Sequence, residues 1–358
     1  MTTNKHKDIG IDIPDTPQPI PDIDPLAQAT NLEYAEVWQN KYSNSLATIN
    51  YKKAKKQAEI ENQLRDFLKI DIKDLVVTFD KSKVKAISAN DTLILDSIMI
   101  EYAKMSNKDK LKNPLIEMSV MHFMALRGID EPKTARNQLD HFYNVYYNAS
   151  VELKGAKKGV DGAFRIVTLR VRDRKAGIYK FQLDQNYVRL MERGGKLFYP
   201  TDLFKIDTKI HPQAVFIARK IYLNKRTNKK SAQADRISVK SLLASTTLPT
   251  FEDEQKGARH QKQNIIQPFL KELLHLEQRE YFKVDVLSNG DTYRIADFAN
   301  MRELGWSEFY NSMIVIRDWN NFPEDELTKL DHQKADHVKN QAKAKAKAKI
   351  KRTTNKTR

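Results

Sequence analysis

Ile237-Ser238-Val239-Lys240-Ser241-Leu242-Leu243 opens the stretch, residues 237–296, from which the fold is read. Ser238 ahead of the apolar run suits a helix N-cap, because its hydroxyl accepts from N–H groups that have no intrahelical partner; a brief helix is expected. After a loop with Pro249, Ile265, Phe269 and Leu273 recur at spacing four, with Ile266, Leu270 and Leu274 alongside. These two rows predict a long helix with a broad buried face. Pro268 within it has no N–H to donate, and predicts a kink or a division there. The first half of this helix carries Lys256, Arg259, His260, Lys262 and Gln263, with no large apolar residue between them. Then Phe282-Lys283-Val284-Asp285-Val286 alternates, Ser288-Asn289-Gly290-Asp291 turns, and Tyr293-Arg294-Ile295 returns. Asn-Gly between alternating segments signals a hairpin, since both residues tolerate positive φ.

Short helix, turn, long helix with a basic first half, then hairpin is the order of a winged helix, whose long helix lies in a DNA major groove. The same grammar precedes it over residues 88–205. Asp91-Thr92 starts a helix carrying Leu93, Ile94, Ile98 and Tyr102, and Ser119 caps a short helix that Gly128 ends. Pro132 begins a longer helix that buries Ala135, Leu139, Phe142 and Tyr146 and leaves Lys133, Arg136 and Asn137 off that stripe. Strands are expected at 149–153, 164–171 and 178–183, the last two joined by Asp173-Arg174-Lys175-Ala176-Gly177. No residue-level repeat links the two units, so the duplication is one of architecture.

The flanks read differently. Residues 1–30 are a Pro- and Asp-rich leader, in which repeated prolines favour solvated, extended backbone. Residues 31–87 read as a basic helical segment, helical over 31–69, with a short strand at 76–79. Its lysine run over 51–60 suits a solvated helix or an arm against phosphate, and charge alone does not choose. His211-Pro212-Gln213-Ala214 leads into the first helix of the second unit, and Asn224-Lys225-Arg226-Thr227-Asn228-Lys229-Lys230 reads as a basic loop. Gly194-Gly195-Lys196 reads as a turn. Trp306, Phe309, Tyr310, Ile314, Ile316 and Trp319 close the unit near residue 323. Residues 324–358 form a Lys/Ala-rich tail; from 333 onward ten Lys or Arg face one Asp. The expected fold class is thus α+β, two tandem winged-helix domains (88–205 and 206–323) with disordered N- and C-terminal tails.

The totals narrow the function. In 358 residues the net charge is +16 and cysteine is absent, so disulfides, thiolate metal ligands and a cysteine nucleophile are excluded. The basic balance points to a polyanion. There is no secretory-type leader and no long apolar run, so a cytoplasmic protein without a membrane partner is expected. Tyr143, Tyr146 and Tyr147 are tyrosines of the kind a nicking enzyme uses, but His141 lacks the second histidine such a site needs, and core or edge roles are expected for them. A phosphate-binding Gly-Lys loop is missing as well. Glu252-Asp253-Glu254 suits a helix start, with Thr250 as cap. No catalytic residue, metal or cofactor is expected.

Over residues 88–322 the chain resembles the initiator proteins of theta-replicating plasmids, on its two successive winged-helix patterns, the helix-turn-helix at 237–277 and the hairpins. The resemblance implies that the second unit reads the major groove of double-stranded DNA at directly repeated origin sites. The first unit would serve dimerisation and accessory contacts. A homodimer would repress the protein's own promoter, and a host helicase, loader or initiator protein would be recruited to start DNA replication. The DNA-contacting residues expected are Lys256, Arg259, His260, Lys262 and Gln263 in the second unit, and Lys133, Arg136 and Asn137 with hairpin partners Arg172, Arg174 and Lys175 in the first. A winged-helix transcriptional regulator with no replication role stays open, because operators and origins are read by the same contacts.

Overall fold

A computed structural model describes residues 34–39, 67–72, 75–80, 89–105, 114–147, 149–153, 163–192, 195–229, 231, 233–249, 261–301, 304–320 and 322–323. The fold is mixed α+β. Three strands come first, β1 (Tyr34–Gln39), β2 (Phe67–Ile72) and β3 (Leu75–Asp80). The first unit follows with α1 (Ala89–Lys104), β4 (Leu115–Ser119), α2 (Val120–Arg127) and α3 (Pro132–Tyr147). It continues with β5 (Ser150–Leu153), β6 (Ala163–Arg165), β7 (Val167–Asp173), β8 (Ile178–Leu183), α4 (Gln185–Glu192) and β9 (Gly195–Pro200). A 3₁₀ turn, Thr201–Lys205, leads to the second unit: α5 (Ala214–Asn228), β10 (Arg236–Ser238) and α6 (Val239–Leu243). A π turn (Lys262–Ile266) then runs into α7 (Gln267–Gln278). Last come β11 (Phe282–Ser288), β12 (Asp291–Arg294), α8 (Ile295–Ala299), α9 (Trp306–Asn311) and β13 (Met313–Trp319).

The two units share one order of parts: a long helix, a short strand, a short capped helix, a longer helix and strands that return. One sheet in each unit shares a strand order as well, while β5 and β6 belong to a separate sheet, ordered β2-β3-β5-β6, with no counterpart among the described residues of the second unit. In the first, β8 lies between β4 and β7; in the second, β13 lies between β10 and β11, with β12 added at the edge. Local chemistry starts and stops the short helices. The Ser119 hydroxyl accepts from the His122 N–H at 3.0 Å, and the Ser238 hydroxyl from the Ser241 N–H at 3.2 Å. Gly128 ends α2 at φ +59°, where a Cβ would also lie 3.3 Å from Lys205 Cγ. Helix α3 buries Ala135, Leu139, Phe142 and Tyr146, as its apolar spacing predicts.

Proline acts on the long helix of the second unit through its neighbours. Pro268 sits in the first turn of α7, and just ahead of it the Gln267 N–H reaches the Lys262 carbonyl, five residues back. The expected division is therefore a switch from π to α spacing within one helix.

Three expectations are corrected. Residues 31–69 are not one helix, since both ends are strands. Ala35 and Val37 are buried while Tyr34 and Glu36 are partly exposed, a period-two pattern that suits a strand, and β1 pairs antiparallel with β9. Gly195 and Lys196 accordingly begin a strand, although their sequence predicts a turn. Residues 224–228 are also not loop. Lys225 is buried in α5, 3.0 Å from Asp235 and over the Trp319 ring, and Asn224 Nδ2 donates to the carbonyls of Gln233, Ala234 and Arg236. Satisfying these polar groups inside the unit lets the helix run on. The leader, the basic run at 51–60, the acidic cluster at 252–254 with Thr250, and the tail at 324–358 lie outside the described residues.

Candidate nucleic-acid interface

In the first unit, burial of one side of α3 turns Lys133, Arg136 and Asn137 outward. At spacings of three and four they share one face, presenting two cations and an amide. The β7–β8 hairpin ends in a tight turn in which Asp173 Oδ1 accepts from the N–H groups of Lys175 and Ala176, each at 2.9 Å, and Gly177 takes φ +64°. Arg174 and Lys175 are exposed at this tip.

Arg172, expected to contact DNA, is also engaged within the unit. Its Nη1 lies 3.0 Å from Asp140 Oδ2 on α3, its guanidinium lies over the Tyr179 ring, and the Tyr179 hydroxyl donates to Asp140 Oδ1 at 3.1 Å. With its charge matched by Asp140, Arg172 fastens the hairpin base to α3.

In the second unit, Gln263 is exposed on the π turn and Lys262 is half-buried, its Nζ 3.5 Å from the Met301 carbonyl. Lys256, Arg259 and His260 lie outside the described residues. Two residues not named from the sequence continue the outward face: Gln267 and Lys271, exposed at successive spacings of four from Gln263. The signal was present, since this row lies opposite the buried row Ile265, Phe269 and Leu273.

The second hairpin is unlike the first. Asn289 and Gly290 both take positive φ, +52° and +95°, as the turn requires. Around the tip stand carboxylates: Glu308 accepts from Asn289 Nδ2 and Ser288 Oγ, and Tyr293 donates to Asp291. Arg294 and Arg317 both face Asp285, at 3.3 and 4.0 Å. The first hairpin tip therefore presents cations to solvent, whereas this one is ringed by carboxylates.

Each long helix is also tied to the start of its own unit by a histidine and a carboxylate. Asp91 on α1, fully buried, is 3.3 Å from His141 Nε2 on α3. Asp91 raises the His141 pKa by hydrogen bonding to it. In the second unit His211 Nδ1 is 3.0 Å from Glu272 Oε2 on α7, and the His211 and His275 rings stack at 3.5 Å. Burial pushes the His275 imidazole down to about 4, and His211, Arg279 and Lys271 act the same way. Its folded pKa lies below the unfolded value, so the unfolded chain binds the extra proton. The stability is complete above about pH 6.5 and is lost as pH falls toward 4. Burial raises the Glu272 carboxyl, and its proton uptake offsets part of the loss at the acidic end. Between pH 6.5 and 5 the expected loss is about 1 kcal/mol for this partly exposed ring. Urea unfolding at the two pH values, for the wild type and His275→Gln, measures it. An equal change in both proteins would show that His275 is not the titrating group.

Tyr143 and Tyr146 are core residues, and Tyr147 stacks on Tyr143 at the core's edge. Among the described residues no group of three or more His, Asp or Glu side chains is placed to hold a metal ion, and no helix is long and apolar enough to cross a membrane. Comparison of the chain with models of known protein families gives no match, and comparison with curated proteins gives none either.

Proposed function

We propose that this protein binds double-stranded DNA sequence-specifically through two tandem winged helices, and that it acts in the cytoplasm as a replication initiator at directly repeated origin sites. The observation that carries the reading is the shared strand order of the two units, each with a long helix turning a polar face outward after a short capped helix. In the first unit that face carries Lys133, Arg136 and Asn137 beside the exposed Arg174 and Lys175. Cations suit phosphate, and amides suit base edges. In the second unit Gln263, Gln267 and Lys271 form the corresponding row, and Lys256, Arg259 and His260 precede it in sequence.

Initiation is favoured over simple repression because two base-reading helices in one polypeptide suit an asymmetric, repeatable site, whereas repressors built as symmetric dimers use palindromes. The Lys-rich tail adds phosphate affinity, and recruitment of a host helicase, loader or initiator protein completes the role. Footprinting and stoichiometry on DNA flanking the gene, together with maintenance of a reporter plasmid carrying that DNA, test the proposal. The expected result is one chain per direct repeat and a maintained plasmid. Binding only as a two-fold dimer on one palindrome, with no plasmid maintained, would replace the initiator with a regulator.

A further inference from the structure

The units are not joined by a single connecting segment alone. Strand β1, which precedes both in sequence, pairs with β9 along its whole length, and this ribbon packs against α1 of the first unit and α5 of the second. Ala35 and Val37 from β1 and Leu197 and Tyr199 from β9 belong to one continuous apolar core that also takes in both units. Across the junction Asp96 on α1 and Arg219 on α5 form an ion pair with side chains only 5% and 4% exposed. The Arg219 guanidinium also lies over the Tyr199 ring of the ribbon at 5.7 Å, and Tyr199 meets Tyr222 of α5 edge to face. At the far end the Tyr34 hydroxyl donates to the Asn320 carbonyl, beyond β13, and its ring meets Phe322. Arg279, after α7, faces Asp202 in the turn between the units at 3.7 Å.

A buried ion pair holds its two helices in a particular geometry, because separating the charges strands each in a low dielectric. Close-packed cores likewise do not deform continuously. We infer that the two units engage DNA as one rigid body, with the β1–β9 ribbon and the Asp96–Arg219 pair fixing both the distance and the rotational phase between the two base-reading helices. Asp96 and Arg219 are then positioning residues that set specificity without touching DNA. The inference rests on the DNA-binding reading above, and it states what that reading leaves open: the site is a single unbroken element whose halves cannot be moved apart.

The test separates a rigid body from a tethered pair. Binding sites are selected from random duplex DNA with the full chain, the two contacted blocks are mapped, and 5 or 10 base pairs are inserted between them. Five base pairs move the second block to the opposite face of the duplex; ten restore its face but shift it by about 34 Å. A flexible tether recovers affinity at ten, because only effective concentration is lost. A rigid body recovers at neither, and each insertion should lower affinity about tenfold or more, to the level of a single block. Recovery at ten base pairs would overturn the inference. Selection of one short block alone would overturn it too, while leaving sequence-specific binding intact. Selection of no preferred sequence would instead defeat the DNA-reading proposal itself. Asp96→Ala with Arg219→Ala removes both charges together but leaves the β1–β9 ribbon and the shared core, so it should reject the ten-base-pair insert as the wild type does. A one-base-pair insert, which the wild type should bind about tenfold more weakly, should bind the double variant within about threefold of the unbroken site. A folded double variant that rejects the one-base-pair insert as the wild type does would show that the pair does not position the units. The wild-type series needs no variant, so it decides even if the double variant misfolds.

Discussion

Replacing Phe269 by alanine should cost about 3–5 kcal/mol of stability, the range seen when a fully buried aromatic is removed and the surroundings collapse only in part. Phe269 is fully buried on α7, and its ring meets that of Phe309 on α9 edge to face at 5.5 Å, an arrangement worth about 1 kcal/mol beyond the area it buries. Ile265 and Leu273 extend the same buried row on either side, so the cavity opens in the middle of the unit. Urea unfolding followed by far-ultraviolet circular dichroism measures the loss. Two of the three tryptophans, Trp306 and Trp319, lie in the same unit, so fluorescence reports largely on it, with Trp38 of β1 as the third. One continuous core spans both units, so a single transition shifted to lower urea is expected. Phe269→Leu should restore much of the loss by refilling the cavity. A change below about 1 kcal/mol for the alanine variant would mean that α7 does not pack against α9 as described.

What could be read from the sequence is what short-range chemistry decides. Ser119, Gly128 and Ser238 mark helix ends because a hydroxyl or a left-handed residue acts within one turn, and all three do so. Asn289 and Gly290 mark a turn for the same reason. Partners far apart in the chain were not legible. Strand β1 pairs with β9 some 160 residues later, and nothing in Tyr34-Ala35-Glu36-Val37 names that partner. The returning strand β13 reaches β11 only after β12, α8 and α9 have intervened, so Ile314 and Ile316 read as core without reading as an inner strand of the sheet. The candidate interface divides along the same line. Lys133, Arg136 and Asn137 follow from the apolar stripe of their own helix, whereas Arg172 is equally basic in sequence and is matched by Asp140, 32 residues away. Gln267 and Lys271 stand out less because the basic residues ahead of them, from Lys256 to Lys262, dominate the polar side of the pattern.

Removing the Gln263 and Gln267 side chains should erase base preference at two positions of the selected site while leaving folding unchanged. Both residues are exposed, one helical turn apart, on the side of the helix away from the core, so truncation to alanine opens no cavity. A glutamine amide both donates and accepts, and it matches the N6 and N7 positions of adenine; such a pair discriminates by about 1–3 kcal/mol, or roughly tenfold to a hundredfold. The double variant should therefore bind the preferred site about tenfold or more weakly and bind unrelated duplex with unchanged affinity. Lys133→Ala with Arg136→Ala makes the informative contrast. If those side chains meet phosphate, all sequences weaken together and the slope of log affinity against log salt falls by about 0.9 for each phosphate no longer neutralised. Competition assays with base-substituted duplexes at two salt concentrations distinguish the outcomes. Should the glutamine variant lose affinity for every sequence alike, α7 is not a base-reading helix. Should it lose none, the second unit does not face the DNA with this side, and specificity must reside in the first.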